Sequence, residues 1–124
     1  MISLFTIVSI SFLHWVFDFH LQTDKMAKEK STCNIALLDH VWVYTWGINI
    51  MMLVNSQYFS GWFNMVAFVL VNAVLHFVTD WITSRASSAL WKDGKVHEFF
   101  VCIGFDQFCH HVTLFGTFIW LTSI

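Results

Sequence analysis

Four long apolar stretches, separated by short polar ones, set the limits on how this chain can fold. They run from Ile2 to Phe19, Ile35 to Val54, Trp62 to Thr83 and Phe99 to Leu121. Each is close to the ~20 residues an α-helix needs to cross the hydrocarbon core of a bilayer. Only 11% of the 124 residues are charged and 57% are hydrophobic, whereas a soluble domain carries about 25% charge. Such a chain cannot cover a water-facing surface, and its 14 Phe and 7 Trp suit lipid and the membrane interface. The expected fold is all-α: residues 1–124 as a single transmembrane domain, an integral membrane four-helix bundle with antiparallel neighbouring spans. The first stretch has no basic n-region and no clear cleavage site, so a retained span is expected rather than a signal peptide.

The connections orient this bundle. All six Lys and Arg residues fall in His20–Asn34 (Lys25, Lys28, Lys30) and in Ser84–Glu98 (Arg85, Lys92, Lys95). Asn55–Gly61 is uncharged and reads as a tight turn. In a four-span chain the two basic connections share one side, which the positive-inside rule makes cytoplasmic, and both termini then lie on the other. Met26–Lys30 reads equally well as a short interfacial helix or a solvated loop. No basic patch or tail points to nucleic acid. The odd number of cysteines, without a CxxC pair, points to apolar packing rather than a disulfide framework.

The polar residues inside the spans need a reason. His14 and Asp18, His76 and Asp80, and Asp106 and His110 are each four residues apart, so each pair shares one face of a helix. At about 1.5 Å per residue, His14, His40, His76 and Asp106 all lie roughly 8–10 Å from the cytoplasmic ends of their spans. Because alternate spans run in opposite directions, the three pairs together with Asp39 and His40 occupy one layer in the cytoplasmic half. Asp39 points about 100° away from His40, so at most one of the two faces the layer's centre. An aspartate at mid-span costs about 2.5–3.5 kcal/mol, and structural zinc binding, worth roughly 10–16 kcal/mol, is on the scale needed to offset three of them. Neutral imidazole with carboxylate is ligand chemistry for Zn first, with Mn or Fe as alternatives, and carboxylate–His sites between facing helices are a known bundle solution. The candidate ligands for one or two divalent ions are His14, Asp18, His40, His76, Asp80, Asp106 and His110. Gln22, Gln107 and Asp39 are candidates for supporting hydrogen bonds.

The blocks His14-Trp-Val-Phe-Asp18-Phe with Gln22-Thr23-Asp24 and Lys28, His40 with Tyr44-Thr45, His76-Phe-Val-Thr-Asp80, and Asp106-Gln107-Phe-Cys-His110 cover all four spans. Together they resemble the bacterial and phage membrane proteins grouped as domain of unknown function family 3307, and through them the LexA-regulated, membrane-bound, metal-dependent hydrolases. Two positions depart from that pattern: Asp39 stands where the family is apolar, and Arg85 takes the place of the basic residue after the third motif. The resemblance implies metal-dependent hydrolysis in a multi-pass protein of the bacterial inner membrane.

On that reading the metal activates water and polarises a scissile ester or phosphoester. Asp18 or Asp80, where unligated, would take the proton, and Lys28 and Arg85 would receive a phosphate or lipid head group. A site at this depth favours a lipid or lipid-linked substrate, and a homo-oligomer could complete or shield so small a bundle. Two other readings stay open. The polar layer could conduct ions or protons, or the protein could act without catalysis by binding or excluding a membrane partner. Bis-His haem ligation fits less well, because haem has no use for the paired carboxylates.

Overall fold

A computed structural model describes residues 2–124, and every regular element in it is helical. The long helices are α1 (Leu4–Trp15), α3 (Asn34–Val54), α4 (Trp62–Lys92) and α5 (Val96–Ser123), and a short α2 (Asp24–Glu29) lies between α1 and α3. Ser3 caps α1 by accepting from the Thr6 amide, and Thr23 caps α2 by accepting from that of Met26. Each supplies an oxygen for an amide that has no partner within its helix. The all-α expectation is met, and α3 and α4 are long and apolar enough to cross a membrane by length and composition. The apolar helix Leu4–His20 is shorter, and α5 is diluted at its middle by Asp106, Gln107, His110 and His111.

Each long helix buries one narrow stripe. In α1 it is Thr6, Ile10 and His14, continued by Asp18; in α3, His40, Tyr44, Ile48 and Met51; in α4, Phe68, Asn72, His76, Asp80, Ser84 and Ser87; in α5, Asp106, His110, Leu114, Phe118 and Leu121. Steps of three and four keep each stripe on one helical face. Along every stripe the character changes in the same way. One end of the bundle is an apolar core in which Phe68 and Phe118 meet edge to face, with ring centroids 6.0 Å apart. The other end holds the histidines and aspartates. The outward faces are apolar too: Phe5, Trp42, Phe63 and Phe108 are each about 60% exposed or more.

Several elements depart from the expected pattern. The first span does not continue as an α-helix to Phe19, because Val16–His20 is a π-helical turn in which the Leu21 amide donates to the Val16 carbonyl at 2.9 Å. Helix α4 does not stop at Thr83. Ser84–Lys92 contains no Gly or Pro and includes the good helix formers Ala86, Ala89 and Leu90, so the helix runs on to Lys92. It ends at Gly94, whose φ of 71° only glycine adopts readily. There Gly94 donates to Trp91 and Lys95 to Leu90 in a Schellman arrangement. The predicted third connection is therefore mostly helix, and α5 starts three residues early, at Val96. A short helix, one of the two readings of Met26–Lys30, is present but lies at Asp24–Glu29, and Asn55–Gly61 contains a 3₁₀ turn at Ser56–Tyr58.

Candidate metal centre

The π-helical turn is what brings Asp18 to the centre. It adds a residue to the turn and so re-aims the side chains beyond it, and turns of this kind are frequent at functional sites. Its neighbour Phe17 packs directly on Gly47 of α3, where an added Cβ would stand only 2.5 Å from the ring. With α1 drawn this close to α3, the Asp18 carboxylate reaches the His40 imidazole across the bundle.

The buried stripes converge into one cluster. His40 Nε2 lies 3.1 Å from Asp18 Oδ1, 3.2 Å from Asp80 Oδ2 and 3.1 Å from His76 Nε2. His76 Nε2 is in turn 3.5 Å from Asp18 Oδ1 and 3.9 Å from Asp80 Oδ2. Ligand bonds of about 2.0–2.1 Å place tetrahedral donors about 3.3 Å apart, so these separations suit a small divalent ion. The other Asp80 oxygen faces a second group. His110 Nε2 lies 3.1 Å from Asp80 Oδ1 and 3.4 Å from Asp106 Oδ1. The ligand atoms of Asp18, His76, Asp80 and His110, all buried, fall within 4.8 Å of one another. His40 is absent from that quartet, yet its contacts to Asp18, Asp80 and His76 are the shorter ones, so it counts as a donor.

Charge makes the same demand. Asp18, Asp80 and Asp106 bring three carboxylates together, and the lysine that reaches them is Lys30, whose Nζ lies 2.7 Å from Asp80 Oδ2. That leaves two negative charges to be balanced by imidazolium groups or by a bound cation, because buried carboxylates without compensation are strongly disfavoured. The residues present therefore fit a metal ion, and a buried His/Asp group of this kind could bind one.

Around the donors is a hydrogen-bonded shell. Gln107 Nε2 donates to Asp18 Oδ2 at 3.1 Å and to Asp106 Oδ2 at 2.9 Å. Its Oε1 lies 2.8 Å from His14 Nε2, and His14 Nδ1 lies 3.0 Å from the Tyr44 hydroxyl. Since Oε1 can only accept, His14 carries its proton on Nε2 and takes a hydrogen bond from Tyr44 at Nδ1. The Tyr44 ring also stacks on His76, with centroids 3.7 Å apart. The hydroxyl of Thr83 holds Asp106 Oδ1 at 2.5 Å.

Several expected assignments change. His14, expected as a ligand, has both ring nitrogens within hydrogen-bond distance of Tyr44 and Gln107, and stands 3.7 Å from Asp18 Oδ2. Asp39 is exposed, because His40 takes the inward position on α3. Arg85 turns away along its own helix, donating to the Trp81 carbonyl and to Asn34 Oδ1, with its guanidinium 4.4 Å from the Trp81 ring centroid. Lys28 stays beside the site, and Gln22 places a buried, unpaired Oε1 there. Three contributors were not singled out from the sequence. Tyr44 lies four residues after His40 on an apolar span, Lys30 is one of three lysines in its connection, and Thr83 ends the third apolar stretch.

A cavity of about 500 Å³ leads from Asp18, Asp80 and Asp106 toward α2 and the C-terminal turns of α4. Among the curated proteins and the solved structures, no match is found. The model of one family, described as protein of unknown function (DUF3307), matches residues 5–123 and so takes in every residue of the cluster. The chain belongs to the DUF3307 family.

Proposed function

We propose that the protein is a membrane-embedded, metal-dependent hydrolase of a lipid or lipid-linked ester or phosphoester. The observation that carries this reading is the opening of a buried His/Asp cluster into a cavity with both polar and apolar walls. A purely structural network would need no such access.

The membrane placement is part of the proposal. Four spans cross the bacterial cytoplasmic membrane, with both termini outside and the cluster in the cytoplasmic half. The apolar outward faces support it, since soluble monomers rarely expose apolar patches larger than a few hundred Å². At 31 residues, α4 is about 46 Å long, so its serine-rich end would project beyond a hydrocarbon core of about 30 Å. An apolar core fills the opposite half of the bundle, and Asn72 there is tied to the Phe68 carbonyl and Thr117. That arrangement argues against an ion-conducting relay, which needs a continuous polar path.

In the hydrolase reading Asp18, His40, His76 and Asp80 form one donor group, and Asp80, Asp106 and His110 a second. Asp80, with one oxygen toward each, would be shared if two ions bind. The metal supplies Lewis-acid activation of water and of the scissile bond. Gln107 orients Asp18 and Asp106 through its amide, and Thr83 fixes Asp106. Asp18 or Asp80, whichever keeps an oxygen free of the metal, takes the proton.

The test is metal content and hydrolysis measured on the same preparations. Purified protein should hold one or two equivalents of Zn, Mn or Fe and cleave members of a panel of short-chain phospholipid esters. His76→Ala and Asp106→Ala should each lose most of both. Substoichiometric metal that is the same in all three proteins would end the proposal.

A further inference from the structure

Lys30 and the Asp80 carboxylate it holds both line the cavity. Lys30 Nζ sits 2.7 Å from Asp80 Oδ2, the same oxygen that faces His40 and His76. An ammonium and a divalent ion at that oxygen repel each other, and at close range in a low-dielectric site the repulsion is large. Lys30 follows directly after α2, at the cavity wall, and its side chain is 18% exposed. It therefore has somewhere to go.

The cavity suits an anion with an apolar tail. Lys28 and Lys30 belong to its lining, as do Ser84 and Gln22, each of which carries a buried oxygen without a hydrogen-bond partner. Buried polar atoms without partners are rare, and a hydrogen-bonding group entering the cavity beside them would satisfy them at little cost. Beyond them Trp91, Phe99, Phe100 and Ile103 make an apolar wall. Asp18, Asp80 and Asp106 at the inner end would repel an anion unless cations outweigh them. Metal and anion are therefore expected to help each other bind.

We propose that Lys30 is a two-position cation: it competes with a divalent ion for Asp80, and when displaced it binds the phosphate-type head group of an amphiphile in the cavity. The proposal rests on the hydrolase reading and narrows its substrate class to anionic, phosphate-bearing amphiphiles. It also makes Lys30 a positioning residue that couples the two ligands. Such coupling is reciprocal, so the anion must tighten metal binding by the same factor that the metal tightens anion binding.

The experiment measures Zn²⁺ affinity of the full-length protein in detergent, at buffered free Zn²⁺, alone and with dihexanoyl phosphatidate or inorganic phosphate. Lys30→Gln should bind Zn²⁺ about tenfold more tightly than the unaltered protein, because the competing ammonium no longer masks the site. Lys30→Arg, which keeps a cation, should stay within a factor of about two, and Lys25→Gln, which alters an exposed lysine outside the cavity lining, should behave likewise. Phosphatidate should tighten Zn²⁺ binding of the unaltered protein about tenfold or more, and most of that gain should vanish in Lys30→Gln. Zn²⁺ binding by Lys30→Gln that is unchanged or weaker, in a protein with the normal helical circular-dichroism spectrum, would overturn the competition. An equal gain with inorganic phosphate would overturn the amphiphile. If the unaltered protein binds no metal, the hydrolase reading itself fails, and that outcome is distinct from the other two.

Discussion

Gln107 is the residue on which the supporting shell turns. One amide spans both carboxylates, at 3.1 Å and 2.9 Å, and sets the tautomer of His14 through its oxygen. Replacing it with leucine keeps the volume roughly but removes two donors and an acceptor. The carboxylates of Asp18 and Asp106 would then be free to rotate, and His14 Nε2 would lose its acceptor. Loss of such an outer partner typically costs about 10–100-fold in metal affinity. Gln107→Leu should therefore weaken Zn²⁺ binding by that order while leaving the helical content intact, as read by chelator competition and circular dichroism. Unchanged affinity would make Gln107 a bystander. The polar layer itself could be read from the sequence, because four residues per step and alternating span direction fix depth. Which histidine has both ring nitrogens engaged by neutral side chains could not. His14 and His110 belong to the same layer and have the same carboxylate spacing, and the positions of Tyr44 and Gln107 across the bundle separate them.

At the scale of elements, the π-helical turn Val16–His20 and Gly47 act as one device. Phe17 occupies the space a side chain at 47 would need, with Cγ 2.5 Å and Cβ 2.7 Å from a Cβ built there. These are the root of the ring and a main-chain-anchored carbon, so they cannot yield as the tip of a flexible chain would. Gly47→Ala must push the turn off α3. Overpacking of this sort costs about 1–3 kcal/mol, and here it also withdraws Asp18 from His40. The variant should unfold at lower temperature in detergent and lose metal affinity together with stability. A stable variant with normal metal binding would show that the close approach is dispensable.

Nothing in the order of the residues announces this turn. The His14–Asp18 spacing fits an ordinary α-helix, and the extra residue goes with the packing of Phe17 on Gly47, a contact distant in sequence. The extension of α4 was hidden for a different reason. Ser84–Lys92 looks polar enough for a loop, yet it lacks any helix breaker before Gly94. Polarity there marks the end of the apolar run in the sequence, and the helix continues past it.

Taken whole, the molecule is a bundle with two unlike ends. One is closed by Ile10, Ile48, Phe68, Leu114 and Phe118 and carries the uncharged connection Asn55–Gly61. The other gathers α2, the end of α4 and the α4–α5 turn, with every Lys and Arg of the chain. The His/Asp cluster lies toward this charged end. In the proposed membrane orientation the charged end is cytoplasmic, and a substrate would reach the cavity from the inner leaflet or the cytoplasm. The native cysteines make the orientation measurable. Cys33, between α2 and α3, is free and belongs to the charged end, while Cys102 and Cys109 lie on α5. With Cys102 and Cys109 replaced by alanine, a membrane-impermeant maleimide should label Cys33 in inverted vesicles and leave it unlabelled in right-side-out ones. With Cys33 replaced as well, a Ser60→Cys variant should show the opposite preference, because it sits at the uncharged end. Labelling of both positions from the same side would overturn the four-span arrangement, since an odd number of crossings must separate them. Reversed labelling would keep the bundle but turn the cavity outward, and the substrate would then have to come from the outer leaflet.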